Sequence, residues 1–109
     1  MNWNDYNEGI KQFCIYPDAF EVTDLELSYL SLGLASEAGE VAGLMKKELR
    51  DSPEFDRDKW MGEIGDVIWY TTRLLDCFGM TLEEVMKYNY DKLMSRKERN
   101  TLGGHGDNR

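Results

Sequence analysis

Two acid pairs are the residues of this chain best suited to do chemistry. Glu37-Ala38-Gly39-Glu40 and Glu63-Ile64-Gly65-Asp66 each set two carboxylates at i, i+3, about 60° apart on one helical face. At about 100° per residue, Glu37 falls between the directions of Leu30 and Leu44, inside an apolar arc, with Glu40 to one side of it. Glu63 sits beside Trp60 and Val67, and Asp66 lies at the edge of that stripe next to Tyr70. Ionised carboxylates turned toward a core repel one another and lose several kcal/mol each of solvation, so a cation must sit among them. Hard oxygen donors suit Mg²⁺ or Mn²⁺, and a site shared by two ions can clamp a phosphate oxygen and an attacking water together. A plainer reading exists, because with 21 Asp and Glu in 109 residues solvated acid pairs arise by chance. Two pairs in consecutive segments, both at the apolar stripe and each holding a glycine that permits close backbone approach, favour the metal.

A second feature points to phosphate. Leu82, Val85, Asn89, Lys92, Leu93 and Arg96 project within about 100° of arc, a face that begins apolar and ends polar and basic. Triphosphate oxygens fit that end, Arg binding them bidentately and Lys as a point charge. The helix dipole accounts for Lys97 and Arg99 but not for Asn89. Trp3, Tyr6, Tyr16, Trp60 and Trp69 can stack a nucleobase, or serve the core or a subunit interface. Trp69 lies off the main stripe and is assigned to an oligomer contact, and Glu48 to a helix end or interface.

The elements that must position these groups are helices. Pro17 and Pro53 stand in short polar connections, and the rest has helical periodicity. The spacing predicts a segment over about 2–14 (Trp3, Tyr6, Ile10, Phe13) and a long helix over about 24–50, capped by Thr23 or Asp24. Its stripe is Leu27, Leu30, Leu34, Val41, Met45 and Leu49. A third helix covers about 58–78 (Trp60, Ile64, Val67, Leu74, Phe78) and ends at Gly79. Thr81-Leu82-Glu83-Glu84 is a capping box for a fourth over about 82–97. The fold class is all-α, a four-helix bundle over residues 1–99 with a glycine-rich tail over 100–109. That tail is either a lid over bound phosphates, with Arg109 reaching the substrate, or a disordered end; His105 in it is a poor structural ligand.

Composition narrows the partners. A chain of 109 residues is one domain, and a net charge of −8 excludes general binding to nucleic-acid polymers. Residues 1–85 carry 7 basic and 18 acidic side chains, whereas 86–109 carry 6 and 3, an acidic body and a basic end that a single ligand can meet together. No apolar run of about 20 residues spans a bilayer, and no signal peptide opens the chain, so a cytoplasmic protein without membrane partners is expected. Cys14 and Cys77 read as reduced core residues. Three tryptophans around a small core predict a homo-oligomer, an isologous dimer being the commonest form.

The spacing Glu37-x-x-Glu40, 22 intervening residues, Glu63-x-x-Asp66 resembles the MazG-like branch of the all-α nucleoside triphosphate pyrophosphohydrolases. The contexts Ser36-Glu-Ala-Gly-Glu-Val41 and Gly62-Glu-Ile-Gly-Asp-Val67 carry the likeness, which covers about residues 24–100. It implies that Glu37, Glu40, Glu63 and Asp66 ligate Mg²⁺ and that the protein hydrolyses a nucleoside triphosphate to the monophosphate and pyrophosphate. It implies that Tyr70 lies beside the substrate and that Asn89-x-x-Lys92-Leu93-x-x-Arg96 is the final-helix pattern. It also implies assembly as a homodimer or homotetramer. The contrasting expectation is a non-catalytic helical interaction module whose acids are merely solvating.

Overall fold

In a computed structural model that describes residues 1–52, 54–100, 103, 104 and 106, every regular element is helical. Helices start where polar caps stand in the sequence. Asn2 accepts the Asp5 N–H and opens α1 (Trp3–Ile10), which tightens into a 3₁₀ turn over Lys11–Phe13. Thr23 caps α2 (Asp24–Asp51), and Asp56 caps α3 (Arg57–Cys77). Thr81 and Glu84 form the capping box of α4 (Leu82–Glu98). Past the end of α3, Gly79 takes a φ of +66°, the left-handed geometry that glycine adopts without a Cβ penalty.

The chain divides into two compact units, Met1–Gly79 and Met80–Arg109. In the first, α2 and α3 are joined in a ladder of contacts: Glu48 with Trp60, Glu37 with Asp66, Gly33 with Tyr70 and Glu26 with Arg73. Numbers fall along α2 as they rise along α3, so the two helices are antiparallel. Polar contacts dock α1 on α3. Trp3 Nε1 donates to Thr72 Oγ1 at 3.0 Å, and Asn7 Nδ2 to Asp76 Oδ1 at 3.0 Å. The fully apolar core is small, with Ile10, Tyr16, Leu30 and Leu75 buried.

The expected α3 stripe is only partly the buried one. Ile64 and Phe78 are exposed, while Thr72, Arg73 and Leu75 are buried. The C-terminal half of α3 is covered through hydrogen-bonded polar groups, which hydrophobic periodicity does not register. Cys14 and Cys77 are free and half-buried. Among the described residues no helix is long and apolar enough to cross a membrane.

In the second unit α4 carries Asn89 exposed, Lys92 half-buried and Arg96 buried. Arg96 donates to the Gly106 carbonyl at 3.3 Å. His105 and Arg109, and with them the reading of the tail as lid or disordered end, lie outside the described residues.

Candidate active site

The antiparallel register of α2 and α3 brings acids from the two pairs together. One carboxylate oxygen from each of Glu37, Glu63 and Asp66 lies within 4.8 Å of the others. Glu37 and Glu63 are half-buried and Asp66 is exposed. The fourth acid of the pattern, Glu40, stands outside this set on the exposed surface of α2. Burial first, then the charges of Asp66, Glu63 and Glu40, hold the Glu37 carboxyl above its ordinary range. Three clustered carboxylates of this kind are a hard-oxygen donor set with excess negative charge, the chemistry that takes a divalent cation such as Mg²⁺ or Mn²⁺.

Glu37 and Asp66 also line a cavity of about 520 Å³, a size in the range of small-molecule sites. Its remaining walls are Tyr29, Trp69 and Tyr70 together with Phe13, Ile15, Tyr16 and Pro17. Tyr16 stacks on Tyr29 with centroids 4.9 Å apart and planes 10° from parallel. Trp69 meets Tyr70 edge-on at 5.0 Å and Tyr16 at 6.3 Å. Trp69, expected at an oligomer contact, is half-buried and a member of this cluster. Tyr70 lines the cavity with Glu37 and Asp66, and burial is the first cause of its raised hydroxyl pKa. Of the other aromatic candidates, Trp3 is engaged by Thr72, and Trp60 Nε1 donates to Glu48 Oε1 at 2.7 Å.

Gly33 places Tyr70. A Cβ there would overlap the Tyr70 ring, whereas around Gly39, Gly62 and Gly65 there is open space. The glycines beside the acids thus do not serve close approach, and one a full turn away from them does. Its available signal was the cost of glycine in a helix interior, about 1 kcal/mol relative to alanine, at a position with no turn to make.

Sequence reasoning also missed the most buried charges among the described residues. Glu26 is 0% and Arg73 1% exposed, with Arg73 Nη2 3.6 Å from Glu26 Oε2 and Nη1 2.9 Å from Asp76 Oδ2. Glu26 accepts from Tyr16 Oη at 2.5 Å and from the amides of Phe20 and Val22, each at 2.8 Å. Burial pushes the Glu26 carboxyl up, and these hydrogen bonds outweigh it, holding the group below the usual carboxylate range. Thr23-x-x-Glu26 has the spacing of a capping box, and that was the signal. Glu26 uses it to reach further back than the cap.

A family model for the MazG nucleotide pyrophosphohydrolase domain matches residues 26–101. The chain belongs to that family. The MazG domain match spans α2, α3 and α4 and includes all four acids, and the all-helical architecture agrees with it. The chain is also 40% identical to "Gene 37 protein" of Mycobacterium phage L5 over 114 aligned positions, covering the whole of both chains. No solved structure matches.

Proposed function

We propose that this MazG domain is a Mg²⁺-dependent hydrolase, able to use Mn²⁺, that splits (deoxy)nucleoside triphosphates into the monophosphate and pyrophosphate. The observation that carries the reading is the convergence of Glu37, Glu63 and Asp66 within 4.8 Å, two of them, Glu37 and Asp66, lining an aromatic cavity. Glu37, Glu63 and Asp66 would hold the ion, with Glu40 on the neighbouring surface of α2. When bound, the ion neutralises phosphate charge and supplies Lewis acidity at the phosphoryl oxygens. One of the four carboxylates takes the proton of the attacking water. Tyr70 and the aromatic walls take the nucleoside and so set the triphosphate toward the acids. Asn89, Lys92 and Arg96 are proposed as phosphate ligands on their chemistry and sequence pattern.

The proposal extends to the setting, a domain over 1–99 acting in the cytoplasm as a homodimer or homotetramer. Exposed apolar side chains such as Leu32, Leu49 and Tyr88 support the assembly. Light scattering at the single-chain mass of 12.7 kDa would reject it.

The test pairs pyrophosphate release from a panel of nucleoside triphosphates, with Mg²⁺ and with chelator, with Mn²⁺ calorimetry. Glu37→Gln and Asp66→Asn are expected to lose Mn²⁺ binding and turnover together. Arg96→Ala is expected to keep Mn²⁺ affinity and lose about tenfold to a hundredfold in kcat/KM, the value of a charge-assisted hydrogen bond. No turnover on any nucleotide would leave the non-catalytic helical module as the reading.

A further inference from the structure

One wall of the cavity is made by the strap between α1 and α2. Phe13, Ile15, Tyr16 and Pro17 all line the cavity, and all precede residue 26, where the family match begins. The strap is held in an unusual backbone conformation. Asp18, Phe20 and Val22 have φ of 58°, 69° and 54°, a region that a β-branched residue such as Val22 rarely enters and that costs of order 1–3 kcal/mol per residue.

Buried groups over-determine this shape. Alternate left-handed residues turn the Phe20 and Val22 amides inward, a nest for an anion, and the Glu26 carboxylate fills it. Tyr16 donates to the same carboxylate, Arg73 Nε donates to the Tyr16 hydroxyl at 3.2 Å, and the Arg73 guanidinium lies 4.9 Å from the Phe20 ring centroid. The least exposed ion pair of the first unit therefore acts on the strap. Tyr16 in turn fixes the plane of Tyr29, which remains 39% exposed. No Lys or Arg lines the cavity among the described residues, and its charges are the carboxylates of Glu37 and Asp66. Such a wall repels anions and accepts a flat, uncharged ring.

We propose that the strap is the specificity-determining wall for the nucleobase, with Glu26 and Arg73 as positioning residues that act on the base through Tyr16. The proposal rests on the pyrophosphohydrolase reading for the triphosphate end and deepens it at the base end.

The experiment uses the full chain with chelator present, so that phosphate and metal play no part. Adenosine, guanosine, cytidine, uridine and, as the baseless control, ribose are titrated against tryptophan emission, with Trp69→Phe identifying the signal. Saturable, base-dependent quenching that ribose does not cause and that Trp69→Phe removes is expected. Ile15 is 94% and Phe13 59% exposed, so Ile15→Ala and Phe13→Ala leave the fold intact. They are expected to change the ratio of dissociation constants between best and worst base by about threefold or more, the scale of a methylene or two in a pocket. Tyr16→Phe keeps the ring and loses the hydroxyl contacts to Glu26 and Arg73. It is expected to weaken every nucleoside by about fivefold to tenfold and, in turnover, to raise KM more than it lowers kcat. Quenching by ribose equal to that by nucleosides, or a base ranking untouched by both strap variants, overturns the proposal. A Tyr16→Phe effect confined to kcat overturns the positioning role. Base-dependent quenching without hydrolysis of any triphosphate would sink the pyrophosphohydrolase reading and leave the strap pocket standing.

Discussion

Glu26, Glu37 and Glu48 stand eleven residues apart on α2, three turns each, so that they return to within about 20–40° of one direction. All three meet α3, and α3 offers each something different. Glu26 finds Arg73 on α3 and three hydrogen-bond donors in the segment before α2, and its carboxyl is held low despite complete burial. Glu37 finds Glu63 and Asp66, and its carboxyl is held high although it is half-buried. Glu48 finds the Trp60 indole N–H. One residue type at one seam is thus a structural clamp, a metal-ligand candidate and a helix-end fastener. The groups each one meets decide which, hydrogen-bond donors and a cation for Glu26 and further carboxylates for Glu37.

Breaking the clamp should have the largest effect. Arg73→Ala leaves the buried Glu26 carboxylate without its cation and is expected to cost about 3–5 kcal/mol in urea denaturation. The double variant Glu26→Gln/Arg73→Met should recover part of that loss, because it removes both charges together. If Arg73→Ala unfolds at the wild-type urea midpoint, Glu26 and Glu37 are energetically alike and the contrast fails.

Next in size is the contact that sets Tyr70. Gly33→Ala drives a methyl into the Tyr70 ring, an overpacking worth about 1–3 kcal/mol, and should weaken nucleotide turnover as well as stability. An unchanged melting curve together with full activity would show that the Tyr70 ring can leave Gly33 at no cost.

The smallest effect has the opposite sign. Glu37→Gln relieves repulsion and should raise the melting temperature of the chelated protein, a stabilisation of no more than about 1 kcal/mol because the group is partly solvated. With Mn²⁺ the order should invert, since an ion at 100 times its dissociation constant adds about 2.7 kcal/mol to wild type alone. The two glutamates also differ in pH dependence. Glu26 has a lowered folded pKa, so its stabilisation is fully present above the ordinary carboxylate range and is lost as pH falls through the lowered value. Glu37 has a raised one, so its contribution is present below the ordinary range and is lost as pH rises through the raised value. The advantage of Glu37→Gln should accordingly grow from acid to neutral pH in melting curves. A gain that is constant across that interval would separate the variant from charge repulsion.

The local features of the fold were legible before any packing was known. Asn2 and Asp56 apart, the caps that start the helices and the glycine that follows α3 could be read from residues within four positions of each helix end, because capping is satisfied inside one turn. The i, i+3 acid pairs were legible for the same reason, and so was the direction of Glu37 and Glu63 toward the apolar side. Tertiary structure alone decided that three of the four acids converge while Glu40 stands aside, that Gly33 rather than Gly39 or Gly65 admits a neighbour, and that Trp69 joins the cavity. It alone decided that Arg73, from a helix more than forty residues further along the chain, compensates Glu26 and through it shapes the strap. Hydrogen bonds within a turn are fixed by spacing, whereas the sign of the charge across a helix seam depends on the register of two helices, and register is set by the whole interface at once.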